Sequence, residues 1–176
     1  MPVFDADACV RRLQGEGGKA LPLIEKMFPG TAVEGRLDRG ALREIVRTQP
    51  DALKRLEAIM HPLVRAERAR FLKQCRARKE PFCVFDIPLL MEIGEDRRCD
   101  LVVVAEAPMS TRLSRIRQRG RSGARMSMTD AKRLLKRQMS DHERRRRADI
   151  VIRTGLSRGH AARQVHALLH RLREAS

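Results

Sequence analysis

The sequence predicts a three-layer α/β fold, a doubly wound parallel sheet flanked by helices. Two observations predict it. Three short runs, Phe82-Cys83-Val84-Phe85, Leu101-Val102-Val103-Val104-Ala105 and Ile150-Val151-Ile152, are continuously apolar and rich in β-branched residues. Strands buried on both faces have that pattern, because helices cover both sides of a parallel sheet. The strands alternate with helical segments of ten residues or longer. A parallel crossover requires such a connection.

The opening Pro2-Val3-Phe4-Asp5-Ala6-Asp7 reads as the end of a further short strand, with Val3 and Phe4 as its apolar residues. Residues 6–14 and 20–28 read as helices separated by Gly15-Glu16-Gly17-Gly18, and Phe28-Pro29-Gly30 stops the second. Asp38 is placed to cap a helix over 39–48. Another helix runs from about Pro50 to Met60, is interrupted at His61-Pro62, and resumes over 63–79. A helix spans 109–119. Gly120-Arg121-Ser122-Gly123 follows, then a helix capped near Ser127 or Thr129, then Asp141 and four consecutive arginines, 144–147.

Composition narrows the function. A hydrophobic fraction of 42% excludes global disorder, and no stretch approaches the length of about 18 apolar residues that spans a membrane. The N-terminus lacks the basic and apolar regions of a secretory signal. Cys9, Cys75, Cys83 and Cys99 are scattered, without CxxC spacing, which argues against zinc and for a reducing cytoplasm. The net charge of +16 implies affinity for anions, and 31 of the 38 basic residues are arginine, whose planar fork grips phosphate oxygens in pairs. Tyr and Trp are absent and Phe occurs five times, so a base-stacking surface for single-stranded nucleic acid has little to be built from.

In doubly wound sheets ligands gather at the carboxyl ends of strands, which singles out Asp5, Asp7 and Asp86. One carboxylate of Asp5-Ala6-Asp7 could take a proton from a substrate hydroxyl while the other orients the substrate or holds Mg²⁺; both residues also suit the start of a helix. Asp86 begins Asp86-Ile87-Pro88-Leu89-Leu90-Met91-Glu92, a strand end and turn of the kind that places a metal-proximal aspartate, or again a cap. His61 and Arg65, one turn apart, could contact a ligand phosphate, although His before Pro is also a common structural junction. The run 144–147, taken alone, reads as a solvated face. Twelve arginines fall between 109 and 147, as expected of a phosphate-closing lid. Gly15-Glu16-Gly17-Gly18-Lys19-Ala20 fails the G-x-x-x-x-G-K-[ST] pattern, because Leu13 and Ala20 stand where glycine and a hydroxyl are needed, and it reads as a turn between helices.

Taken in order, Val-Phe-Asp-Ala-Asp at 3–7, Gly-Arg-Leu-Asp-Arg-Gly-Ala-Leu-Arg at 35–43, Met-His-Pro-Leu-Val-Arg at 60–65, Asp-Ile-Pro-Leu-Leu-Met-Glu at 86–92, Arg-Met-Ser at 125–127, Arg-Gln-Met at 137–139 and Ala-Asp-Ile-Val-Ile at 148–152 resemble the dephospho-coenzyme A kinase family. The resemblance implies a P-loop kinase-like fold and ATP-dependent phosphorylation of the ribose 3′-hydroxyl of dephospho-CoA, with Mg²⁺. It implies one domain over 1–176: core 1–10, 80–108 and 148–176, a helical acceptor-side region 11–79, and a lid 109–147. Asp7 falls in the segment of the proposed base, with Asp5 beside it. His61, Arg65, Asp86, Leu89 and Leu90 would line the acceptor side. Arg119, Arg125 and Arg137 would reach ATP phosphates from the lid, and Arg144 stands where the family often has Lys.

The family begins with a strand, a P-loop and a helix, a unit of roughly 25–30 residues that 1–176 does not contain. The expectation is a start codon placed late rather than a genuinely truncated product. A second expectation is negligible kinase activity in the chain as written, since the amide nest, the Lys and the hydroxyl that hold the phosphates and Mg²⁺ are missing. The alternative readings are a nucleic-acid-binding protein built on the arginine-rich segment, and a non-catalytic fragment that binds CoA-like ligands through His61 and Arg65.

Overall fold

The computed structural model describes residues 1–119 and 138–174. The chain folds as two compact units, Met1–Pro88 and Leu89–Ser176.

In the first unit, β1 (Val3–Asp5) runs directly into α1 (Ala6–Leu13), followed by α2 (Leu21–Met27), β2 (Ala32–Val33), β3 (Arg36–Leu37), α3 (Arg39–Thr48), α4 (Ala52–Ala77) and β4 (Val84–Asp86). The ladder is parallel: Val3 faces Val84, Phe4 faces Phe85 and Asp5 faces Asp86. Because side chains alternate along a strand, Phe4 and Phe85 point to one side and the two aspartates to the other. Phe4, Phe71 of α4 and Phe85 form a three-ring cluster with centroids 5.6–5.9 Å apart. Around it Cys9, Leu13, Ile24, Phe28, Leu42 and Met60 complete the core.

Helix ends follow the local chemistry. Asp38 caps α3 by accepting the N–H groups of Gly40 (2.8 Å) and Ala41 (3.0 Å). The Glu25 carboxylate accepts from Gly30 N–H (2.8 Å), Ala32 N–H (2.6 Å) and the Thr31 hydroxyl (3.3 Å), tying the end of α2 to the turn after it. The hydrogen bond from Gly30, reinforced by the others, holds the Glu25 carboxyl below its ordinary range.

The predicted break at His61-Pro62 does not occur, since α4 is one helix with Pro62 inside it. An interior proline costs a helix about 3 kcal/mol. Here Met60, Leu63, Val64 and Phe71 on both sides of it pack on the same core. Each such side chain contributes about 1.5–3 kcal/mol when fully buried, enough to offset the proline. The hairpin β2–β3 was not expected from the sequence. Its two-residue strands are too short to show alternation, and its turn rests on Glu34 and Gly35, both left-handed at φ 50° and 73°.

In the second unit a single 3₁₀ turn, Glu95–Arg98, precedes β5 (Val103–Glu106), α5 (Met109–Arg119), α6 (Asp141–Arg147), β6 (Ile150–Arg153) and α7 (Arg158–Glu174). Strands β5 and β6 pair in parallel from Val103–Ile150 to Glu106–Arg153. Asp149, just before β6, accepts the Val102 N–H at 2.7 Å and fixes where the ladder begins. The α/β class with parallel strands and flanking helices is therefore present. Among the described residues, however, the strands form separate two-stranded ladders rather than one sheet. The helix expected near Ser127 or Thr129 lies outside the described residues. Among the described residues no helix is long and apolar enough to cross a membrane.

Phe4→Ala is expected to lower unfolding stability by about 3–5 kcal/mol, since it empties the centre of the three-ring cluster. Chemical denaturation monitored by circular dichroism measures it.

Candidate functional site

The parallel register of β1 and β4 puts Asp5 and Asp86 side by side at the carboxyl end of their ladder, where α/β sheets present ligand-binding groups. The two aspartates have different duties. Asp5 is the N-cap of α1: its Oδ1 accepts the Ala8 N–H at 2.7 Å, and its Oδ2 lies 3.8 Å from Arg11. Asp7 sits in the first turn of α1 and is exposed, as is Asp86 at the end of β4. On α4, His61 and Arg65 are four residues apart, hence on one helix face, and both are exposed.

Leu89 stands three residues after Asp86. Its backbone is left-handed at φ 57° and its side chain is 47% exposed. Both features are unfavourable for a leucine, the backbone alone by about 1–2 kcal/mol. Strain of this kind persists where the surroundings impose it and is concentrated at ligand sites. Leu90 is half-buried, and its carbonyl accepts the Glu95 N–H at 3.1 Å.

The second unit holds a network of ion pairs. The Asp141 carboxylate lies between two guanidinium groups, with Oδ2 accepting from Arg112 and Oδ1 from Arg144. Burial pushes the Asp141 carboxyl up, but hydrogen bonds and charge from Arg144 and Arg112 outweigh it and hold the group below its ordinary range. Glu106, at the end of β5, is held low by hydrogen bonds from Arg145, one of them 2.8 Å from Nε. Asp96 is held low by its hydrogen bond from Arg147, which also donates to the Met91 carbonyl at 3.4 Å. Arg146 lies 3.6 Å from Glu143. Every arginine of the 144–147 run thus has an acidic partner, and the side chains of Arg144 and Arg147 are only 24% and 29% exposed. The run is solvated in part: Arg145 and Arg146 stay exposed, while Arg144 and Arg147 are turned onto acidic groups of their own unit.

Of the lid arginines named from the sequence, Arg119 ends α5, while Arg125 and Arg137 lie outside the described residues. Sequence reasoning missed Asp141, Arg112 and Glu106 as site residues. The available signal was Ser140-Asp141 ahead of an arginine run, an N-cap followed by a carboxylate one turn before Arg144. Among the described residues there is no group of three or more His, Cys, Asp or Glu side chains arranged to hold a metal.

The dephospho-CoA kinase family model matches residues 1–158. A dephospho-CoA kinase of Gluconobacter oxydans is 83% identical over 176 residues, covering 100% of this chain and 88% of the relative. The chain belongs to the dephospho-CoA kinase family. A Mesorhizobium japonicum family member is 45% identical over 175 residues, 98% of this chain and 85% of its own. Among solved structures, a Thermus thermophilus protein superposes with a TM-score of 0.74 at 33% identity, covering 97% of this chain and 84% of that one. Dephospho-CoA kinase from Campylobacter jejuni superposes at 0.65 and 27% identity, covering 96% and 85%. Membership accounts for the order of the sequence motifs and agrees with the α/β class.

The depressed carboxyls, Glu25 in the first unit and Asp96, Glu106 and Asp141 in the second, make the fold acid-sensitive. A carboxyl whose value is lower in the folded state stabilises the fold above its unfolded value of about 3.9, and that stability is lost as pH falls through the folded value. Thermal stability of the wild type is therefore expected to fall as pH drops below about 4. Asp96→Asn is expected to be less stable than wild type at neutral pH, with a shallower acid dependence, in scanning calorimetry across pH.

Proposed function

We propose that the protein is a dephospho-CoA kinase, transferring the γ-phosphoryl group of ATP to the ribose 3′-hydroxyl of dephospho-CoA. The observation that carries this reading is the β1–β4 register, which sets the Asp5-Ala6-Asp7 and Asp86-Ile87-Pro88 segments at one carboxyl edge. Asp7 is the general base: its carboxylate is exposed at the start of α1, whereas Asp5 is occupied in capping that helix. Asp7 takes the 3′-hydroxyl proton as the oxygen attacks the γ-phosphorus. The bond from that phosphorus to the β,γ-bridging oxygen breaks, and ADP leaves with its electron pair.

His61 and Arg65 bind acceptor phosphates from one face of α4, and Asp86, Leu89 and Leu90 complete the acceptor side. Arg144 meets the donor phosphates, its guanidinium anchored by Asp141, with Arg119, Arg125 and Arg137 as further lid contacts. Mg²⁺, bound with the donor, supplies charge neutralisation at the phosphates. Asp86, a free hard oxygen donor beside Asp5, fits it, because Mg²⁺ commonly takes one or two carboxylates and otherwise water and phosphate oxygens. The four cysteines, none of them in a disulfide, suit the reducing cytoplasm in which we place the reaction.

Residues 1–176 contain no G-x-x-x-x-G-K-[ST] run, so they carry the acceptor and lid chemistry without the backbone nest that cradles the β- and γ-phosphates. Residues 1–176 are expected to bind dephospho-CoA in calorimetry and to turn it over negligibly with Mg-ATP. His61→Ala and Arg65→Ala are each expected to weaken binding about tenfold, the loss of one charge-assisted contact. Failure to bind dephospho-CoA would overturn the acceptor assignment, and turnover at an ordinary enzymatic rate would overturn the donor-side expectation.

A further inference from the structure

A groove of about 410 Å³ lies beside β1, between α1 and α4, within the usual size range of small-molecule sites. Phe4 and Phe71 form its apolar wall, and Arg12, Glu67, Arg70 and Gln74 its polar one. It borders the acceptor edge at Asp5 but otherwise uses different faces of α1 and α4. On α1, Ala8 and Arg12 line the groove, whereas Asp7 and Arg11 lie about 100° further round the helix. On α4, Glu67, Arg70, Phe71 and Gln74 line it, whereas His61 and Arg65 belong to another face.

The charges there do not balance. Glu67, 15% exposed, has three cations around it: Arg70 at 3.2 Å, Arg12 at 3.8 Å and Lys19 at 3.8 Å. Distances of 3.8 Å exceed hydrogen-bond reach, so the donors of Arg12 and Lys19 are not spent on Glu67. Three cations against one carboxylate leave a local excess of two positive charges. Asp5 also borders the groove, but its Oδ1 is used by Ala8 and its Oδ2 faces Arg11.

The glycine-rich loop after α1, which matches no phosphate-loop pattern, delivers Lys19 to this place. A Cβ on Gly18 would lie 2.2 Å from the Leu13 carbonyl oxygen, so only glycine allows the chain to fold back this closely. Ala20 N–H then closes the turn on that same carbonyl at 3.0 Å.

We propose that this groove is a second ligand site, for a phosphomonoester with an apolar body. A phosphomonoester carries a charge of about −1.5 to −2 at neutral pH, close to the local excess. Two guanidinium forks in the groove and the Lys19 ammonium beside Glu67 match its three terminal oxygens, and the exposed Val3 with Phe71 takes the body. The site stands independently of the kinase reading, because it uses neither Asp7 nor the Arg65 face.

The test is a nuclear magnetic resonance titration of the full chain with inorganic phosphate, and separately with acetate, at constant ionic strength. Phosphate is expected to move the amide signals of Arg12, Gly18, Lys19 and Arg70 saturably, at concentrations about tenfold below acetate. Arg12→Gln and Arg70→Gln should each weaken phosphate about tenfold. Arg43→Gln, on exposed α3, removes the same charge elsewhere and should change nothing. Should either groove variant fail the circular dichroism check for folding, Lys19→Gln, on the exposed loop, gives the same reading. Shifts scattered over many arginines, equal weakening by Arg43→Gln, acetate as effective as phosphate, or no saturable shift would each overturn the proposal.

Discussion

The first unit depends on one register. Pairing Phe4 with Phe85 across a parallel ladder lets Phe71 of α4 close a three-ring cluster on one side. On the other side the same pairing sets Asp5 against Asp86. A slip of one residue would exchange the faces, sending carboxylates into the core and phenyl rings into solvent. The hydrophobic demand of three rings therefore fixes the position of two candidate site segments that are far apart in sequence. The core specifies the site without contacting it.

A second constraint governs residues 89–176. The arginines of α5 and α6 would repel one another if left unpaired. Instead Asp141 receives two of them, and Glu106 and Asp96 one each. Buried or half-buried pairs of this kind contribute more to geometry than to stability, because desolvation consumes most of the Coulombic gain. Their consequence is orientation: Arg144 is held at two points, by its helix and by Asp141. In the proposed donor role of Arg144 that restraint is an advantage, since less motion is lost when a phosphate arrives.

Much of this was legible in the sequence. Asp38 as a cap, the apolar strands ending at Asp86 and near Ala105, and helix 109–119 all followed from local patterns that tertiary contacts reinforce. Pro62 was misread because a proline's local cost is visible in sequence while the packing of Met60, Leu63 and Phe71 that outweighs it is not. The hairpin at 32–37 escaped because two-residue strands have no periodicity to read. Asp5 and Asp7 were recognised as a pair, but the division of labour between them needed coordinates: only the Ala8 N–H hydrogen bond distinguishes cap from free carboxylate. Asp141 was visible as a residue and invisible as a bridge, because its partners Arg112 and Arg144 stand on different helices.

The central claim is that one ligand-binding edge is assembled where β1 runs into α1 and β4 ends, with the α4 face carrying His61 and Arg65 serving the same ligand. Nitrogen-15 chemical-shift mapping of the full chain, titrated with dephospho-CoA in the absence of ATP, tests it most directly. The account requires the largest saturable shifts at Asp7, His61, Arg65 and Asp86. Shifts confined to residues 138–174, or absent from both α1 and α4, would contradict it.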